Sequence, residues 1–320
     1  MSENIISRQT GSLLKGMAII MIIVQHLGQA YKIGFINPLG PIGVFIFLFM
    51  SGYGLTYSYN KSGRKCYFRK RFFKVYCLYL FSLLIFLALH IVMFNETFTI
   101  DKIINYAVLR ELPQGSHWYL LLMFLWYVVF WLYTFCIDTR FEIAGLFIAT
   151  VVVLAIMGGN KSVVWQICSF QLGVITALYG SKIIEWINPR RKWGGLFLIA
   201  IALIAVALKK TEYVETHELG MVDTFLQIIL TQTVGVLCII YADFVQKIKA
   251  SKLLIICGDV SYELYLAHVI MLNWLKEKPI VSVLIEYIII SVFVCIVLVA
   301  IRKLIMEGVL KNVWGNKQKG

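Results

Sequence analysis

The signatures of the common soluble hydrolases are missing from this chain. It has no Walker A loop, no HExxH and no GxSxG, which argues against nucleotide hydrolysis by the chain alone. Charge is scarce as well: Asp, Glu, Lys and Arg make up 15% of residues, and acidic residues number 17 against 30 basic ones. The cysteines, Cys66, Cys77, Cys136, Cys168, Cys238, Cys257 and Cys295, are scattered without CxxC or Cys/His spacing. They read as small packing residues, and no metal is expected. No internal repeat is visible. The first apolar segment follows Arg8 and Lys15 but lacks a small-x-small cleavage site, so it reads as a first helix and not as a signal peptide.

What the chain has in abundance is apolar length. Hydrophobic residues reach 60% of its 320 positions, and the mean hydropathy is +0.81. Runs able to cross about 30 Å of hydrocarbon recur at 12–30, 40–59, 72–94, 118–137, 142–158, 163–181, 193–208, 222–243, 253–275 and 281–306. They are too long and too evenly apolar for barrel strands, and helices satisfy their backbone groups within the segment. The expectation is an all-α, polytopic membrane bundle of about ten transmembrane helices. It forms a single domain over residues 1–320, with short tails, both termini cytoplasmic, and no soluble appendage.

The net charge of +13 raises the question of nucleic acid, and its placement answers it. Ten alternating crossings from a cytoplasmic start put 22 basic residues inside and 8 outside, including Lys61, Arg64, Lys65, Arg69, Lys70, Arg71 and Lys74 in one inner loop. Most of the excess is therefore topogenic, facing membrane lipid, and nucleic acid is not an expected partner.

Within the apolar background a few polar residues need a reason. His26 lies far inside the first run and Lys15 at its start. On a helix the 11 residues between them amount to roughly 16 Å and about three turns, so Lys15, Ile19, Ile22 and His26 share a face. Intramembrane ionisable groups usually line a cavity or bundle interior; hydrogen bonding as packing glue is the alternative. At the start of the third run, Tyr67-Phe68-Arg69-Lys70-Arg71-Phe72-Phe73-Lys74 places cations among aromatics. Arg71 and Lys74 are spaced to share a helical face and suit a phosphate-rich ligand, or simply anchor the chain at lipid headgroups. Ser51, Gly52 and Gly54 permit close helix packing. His117 precedes the interfacial aromatics Trp118 and Tyr119, and Ser261, Tyr265 and His268 fall on one face of a later run.

The order of these features resembles the membrane acyltransferase-3 family: Leu14-Lys15-Gly16…His26, Gly43-Val44…Ser51-Gly52-Tyr53, Arg71-Phe72-Phe73-Lys74, His117-Trp118-Tyr119-Leu120, and Ser261-Tyr262…Tyr265-Leu266-Ala267-His268. The resemblance spans essentially the whole chain. It implies a membrane O-acyltransferase, most simply an O-acetyltransferase in a bacterial plasma membrane. The donor would be cytosolic acetyl-CoA and the acceptor an extracytoplasmic glycan, a lipid-linked saccharide or a small hydroxyl compound. It further implies His26 as the catalytic base, Lys15, Arg69, Arg71 and Lys74 as donor-binding cations, and Ser51, His117, Trp118, Tyr265 and His268 as orienting or acceptor-side groups. Lysine stands at 15 and 74 where the family pattern has arginine, keeping charge while losing the bidentate fork. Phe45 stands where relatives often carry an acid, so no carboxylate for His26 comes from there. The rival expectations are succinyl transfer, a flippase or transporter of a lipid-linked or acylated sugar, and a partner-binding subunit without catalysis.

The charge partition makes a direct prediction. Single cysteines replacing Lys65 and Lys210 in a cysteine-free background should react with a membrane-impermeant thiol reagent from opposite sides of sealed vesicles. Reaction of both from one side would refute the topology.

Overall fold

The computed structural model describes residues 5–65, 67–113, 117–211, 220–278 and 280–307. Cys66, the turn residues Gln114–Ser116, the loop Glu212–Glu218 and the tail carrying Lys311, Lys317 and Lys319 lie outside the described residues, as does the Lys70 side chain. The chain is 83% helical, with no strands among the described residues.

The helices are α1 Arg8–Ala30, α2 Leu39–Ser62, α3 Tyr67–Arg71, α4 Cys77–Phe94, α5 Ile100–Ala107, α6 Trp118–Tyr133, α7 Glu142–Met157, α8 Lys161–Val164, α9 Ser169–Ile187 and α10 Arg191–Lys209. They continue with α11 Gly220–Ile240, α12 Ala242–Gln246, α13 Ser251–Asp259, α14 Ser261–Ile270, α15 Leu272–Glu277 and α16 Val281–Ile305. Among the described residues six helical runs are long and apolar enough to cross a membrane, with Lys161–Lys209 counted as one; α13 and α14 make a seventh if taken as one broken span. The expected ten arise when that long run is divided at Asn188–Arg190 and the shorter apolar helices α6 and α7 are added.

The ninth apolar run, read above as one span over 253–275, is interrupted twice. Val260 (φ −118°, ψ 21°) and Met271 (φ −102°, ψ 7°) leave helical geometry, so the run becomes α13, α14 and α15. The cause at the first break is local. Gly258 is pressed against the Ser12 carbonyl, where a Cβ would sit 1.7 Å from the oxygen, and Asp259 accepts a 2.6 Å hydrogen bond from Ser12.

The chain divides into two compact units, one of Met1–Arg64 with Leu122–Asp259, the other of Lys65–Leu121 with Val260–Gly320. The first unit is built on close helix approach. A Cβ at Gly52 would lie 2.2 Å from the Phe170 carbonyl oxygen, and one at Gly173 would lie 2.0 Å from that of Phe49. Each glycine thus covers the carbonyl one turn before its partner, the geometry of Cα–H···O contacts between tightly packed membrane helices. The same exchange joins Gly16 to the Leu254 carbonyl and Gly258 to that of Ser12. Between α1 and α2, Gly43 lies against Ala18 and Gly40 against Gln25, which makes these two helices antiparallel. Gln166, just before α9, donates to the Pro41 carbonyl at 2.9 Å, while Gly173 meets Phe49 further along. Helices α2 and α9 therefore run in the same direction, as the second and sixth members of an alternating series must. At the far end of the unit Arg191 donates to Asp243, through Nη1 at 2.9 Å, and holds that carboxyl below the usual carboxylate range.

The second unit uses hydrogen bonds and rings instead. Tyr79 donates to the Tyr106 carbonyl at 2.7 Å, Tyr76 to Ala107 at 2.8 Å and Tyr262 to Val75 at 3.0 Å. The buried stripe of α4, Leu78, Tyr79, Ser82, Leu83, Phe86, Leu87 and His90, has helical spacing.

A methyl group is enough to test the first unit. Gly173→Ala should lower its stability by about 1–3 kcal/mol, because the approaching atom is backbone and cannot swing aside. Gly54→Ala, with nothing within 4 Å of its Cβ position, should be neutral or slightly stabilising. Thermal unfolding of both variants in detergent reads the contrast, and equal midpoints would contradict it.

Candidate functional site

In the first unit, α1 is unbroken from Arg8 to Ala30, so the three-turn separation of Lys15 and His26 stands. Its start is fixed by Ser7, whose hydroxyl accepts from the Thr10 backbone N–H at 3.0 Å. Ile19 and Ile22 are buried, while Lys15 and His26 at the two ends of their stripe are half-buried. The stripe thus looks into the unit along its apolar middle and opens at both polar ends. Gly16, next to Lys15, brings the α13 backbone against this turn. Ser51 is half-buried on α2, beside the Gly52 contact with α9. Phe45 is fully buried, stacked on Phe49 and lying against Gly235 of α11. The absent carboxylate is therefore replaced by a core ring for which Gly235 makes room.

In the second unit the cationic cluster has a geometry that spacing did not reveal. Phe72–Tyr76 is a π turn between α3 and α4. Its i→i+5 bonding widens the helix and offsets Lys74 from the face that α-helical spacing assigns it beside Arg71. Arg71 is half-buried, with its guanidinium 3.8 Å from the centroid of the Tyr67 ring and Nη1 donating to the Tyr67 carbonyl at 3.0 Å. Lys74 and Arg69 are exposed.

The same unit gathers four of the remaining candidates with three tyrosines. His117, Tyr119, Tyr265 and His268 are all buried, and Trp118 is half-buried. Tyr265 meets Tyr119 edge to face at 5.3 Å and His268 at 5.6 Å, and Tyr79 meets His117 at 6.4 Å. The His268 Nδ1 faces the Leu264 carbonyl at 3.0 Å. Because a carbonyl only accepts, Nδ1 carries the proton and Nε2 is the basic nitrogen of the neutral ring. Ser261 is buried as well, so the face Ser261–Tyr265–His268 expected on α14 turns inward.

Two polar pairs of the second unit escaped sequence reasoning. Glu263, 1% exposed, is paired with Arg302 of α16 at 2.8 Å. His90 meets Glu96 at 3.1 Å. The signal that singled out His26, an ionisable residue in an apolar run, applied to Glu263 and His90 too; their partners lie too far along the chain, or in a loop, to be read from helical spacing. No group of three or more His, Cys, Asp or Glu suited to a metal occurs among the described residues.

A family model for the acyltransferase-3 family, described as an acyltransferase domain, matches residues 12–303. No curated protein and no solved structure matches the chain.

The ion pair yields a prediction of its own. Arg302→Met should destabilise the protein by about 3 kcal/mol, since it takes the cation from a carboxylate shut away from water. Adding Glu263→Gln should restore most of the loss. A double variant no more stable than Arg302→Met, by unfolding in detergent, would mean that the pair's charge is not what matters.

Proposed function

The chain belongs to the acyltransferase-3 family, and on that premise we propose that it is a membrane O-acetyltransferase. It uses cytosolic acetyl-CoA and an extracytoplasmic glycan, lipid-linked saccharide or small hydroxyl acceptor, in a bacterial plasma membrane with both termini inside. The observation that carries this reading is the match over residues 12–303, which takes in Lys15, His26, Arg71, Lys74 and His268.

In the proposed reaction the cations Lys15, Arg69, Arg71 and Lys74 bind the phosphates of the donor. Each stands at the start of its helix, on the side the basic-residue partition assigns to the cytoplasm. His26 stands about three turns further along α1 and takes the proton of the acceptor hydroxyl. The hydroxyl oxygen attacks the thioester carbonyl, a C–O bond forms, the C–S bond breaks, and the sulfur leaves and regains a proton. A thioester has a good leaving group already, so the chief needs are this base and donors for the developing oxyanion. Ser51, His117, Trp118, Tyr265 and His268 are the orienting groups. The inward polar face of α14 and the fixed Nε2 lone pair of His268 suit an acceptor-side role.

The decisive test uses the purified full chain in lipid with labelled acetyl-CoA and a panel of hydroxyl acceptors. His26→Ala should cut transfer about 10²–10⁴-fold while CoA binding is kept. Lys15→Ala should weaken donor binding, and Lys15→Arg should retain activity. Near wild-type turnover by folded His26→Ala at saturating donor and acceptor would remove His26 from the mechanism.

A further inference from the structure

The C-terminal end of α14 is held by a histidine that the proposed reaction does not use. His90, on the last turn of α4, is buried and turns both ring nitrogens to acceptors. Nε2 lies 3.1 Å from the Ile270 carbonyl oxygen and Nδ1 3.1 Å from the Glu96 carboxylate. A neutral imidazole has one N–H, so it satisfies one of these acceptors and points a lone pair at the other. Only the ring with both protons donates to each. The Ile270 carbonyl belongs to the last turn of α14, where helical carbonyls need partners from outside the helix. The surroundings suit a cationic ring: Phe86 lies 4.1 Å from it, centroid to centroid, and Phe94 5.1 Å, with Trp274 of α15 closing on Phe94 at 5.4 Å. Glu96 is 47% exposed, so solvent reaches the pair from its side.

We propose that His90 is a positioning residue for α14, clamping the end of that helix as an imidazolium held between Glu96 and the Ile270 carbonyl. The clamp responds to the pH on the side of the membrane where Glu96 lies. In the topology proposed above that side is extracytoplasmic, so the clamp senses external acidity. It is complete while the ring carries two protons and Glu96 is ionised. When rising pH removes one ring proton, two acceptors compete for one N–H and the α14 end loosens. Among the described residues Glu96 is the acidic group paired with the ring. From α14 comes the Ile270 carbonyl, and His268, two residues earlier, turns Nδ1 to Leu264 instead. From α15 comes Trp274, and Lys276 of that helix is exposed. Because α14 carries Tyr265 and His268, the clamp sets the order of that buried face whatever reaction the face serves, so the inference stands apart from acyl transfer.

The test follows the ring and the helix together in the full-length protein in nanodiscs of neutral lipid. Nitrogen NMR of labelled histidine, with the His90 signals assigned by their loss in His90→Ala, should show a doubly protonated ring at about pH 5. As pH rises and the ring gives up its second proton, amide exchange in residues 261–270, corrected for its intrinsic pH dependence, should quicken about tenfold, the effect of losing one charge-assisted hydrogen bond. Glu96→Gln changes a half-open side chain and keeps the fold testable. Its amide donates to a neutral Nδ1, so protection of 261–270 should become independent of pH. A ring with a single proton already at about pH 5, a titration without change in protection, or the same pH dependence in Glu96→Gln would each overturn the proposal.

Discussion

The contact on which the first unit depends is a glycine Cα laid on a carbonyl oxygen of the next helix. In lipid the apolar side chains of a helix find equally apolar surroundings whether or not they meet a neighbour, so burial of leucine or isoleucine does little to draw helices together. Backbone approach does more, through dispersion and weak Cα–H···O contacts, and it requires the absence of a side chain at the crossing. Gly52 with Gly173, and Gly16 with Gly258, supply that absence reciprocally. The second of these crossings places Lys15 at a turn whose backbone is already fixed by α13. The stripe that rises from it to His26 is therefore presented by a helix with little freedom to rotate.

The second unit has no comparable glycine crossing among its described residues and is held by polar and aromatic contacts. Tyrosine hydroxyls reach carbonyls from one element to the next, and Glu263 meets Arg302 out of water. Such contacts have strict partners, since a carboxylate or hydroxyl left alone in an apolar interior is costly. They order the face on which Tyr265 and His268 lie while leaving the apolar surfaces of α4 and α16 to lipid. The two units thus reach definite geometry by different physical means, one steric and one electrostatic.

Much of this was legible in the sequence because lipid imposes a long-range rule on short-range pattern. Apolar length located the spans, and helical spacing put Lys15 and His26 on one stripe and Ser261, Tyr265 and His268 on one buried face. The departures have local causes that composition does not encode. The break at Val260 follows from Gly258 and Asp259 meeting Ser12, residues almost the whole chain away. The π turn at Phe72–Tyr76 looks in sequence like any aromatic helix, so Arg71 and Lys74 seemed to share a face. Partners of His90 and Glu263 depend on which helices become neighbours, and helical periodicity is silent on that.

The π turn also sets the phase of everything that follows it. A π turn holds one residue more than the α turn it interrupts, and each residue of an α-helix advances the chain by about 100°. Removing one residue from Phe72–Tyr76 would let the segment relax to a continuous α-helix, and it would turn α4 about its axis by that angle relative to α3. Leu78, Tyr79, Ser82, Phe86 and His90 would all swing away from the interior together, while the cations ahead of the turn would stay where they are. The surplus residue acts as a phase offset between a charged entrance and a buried wall, and a single-residue deletion there would be felt along the whole of α4.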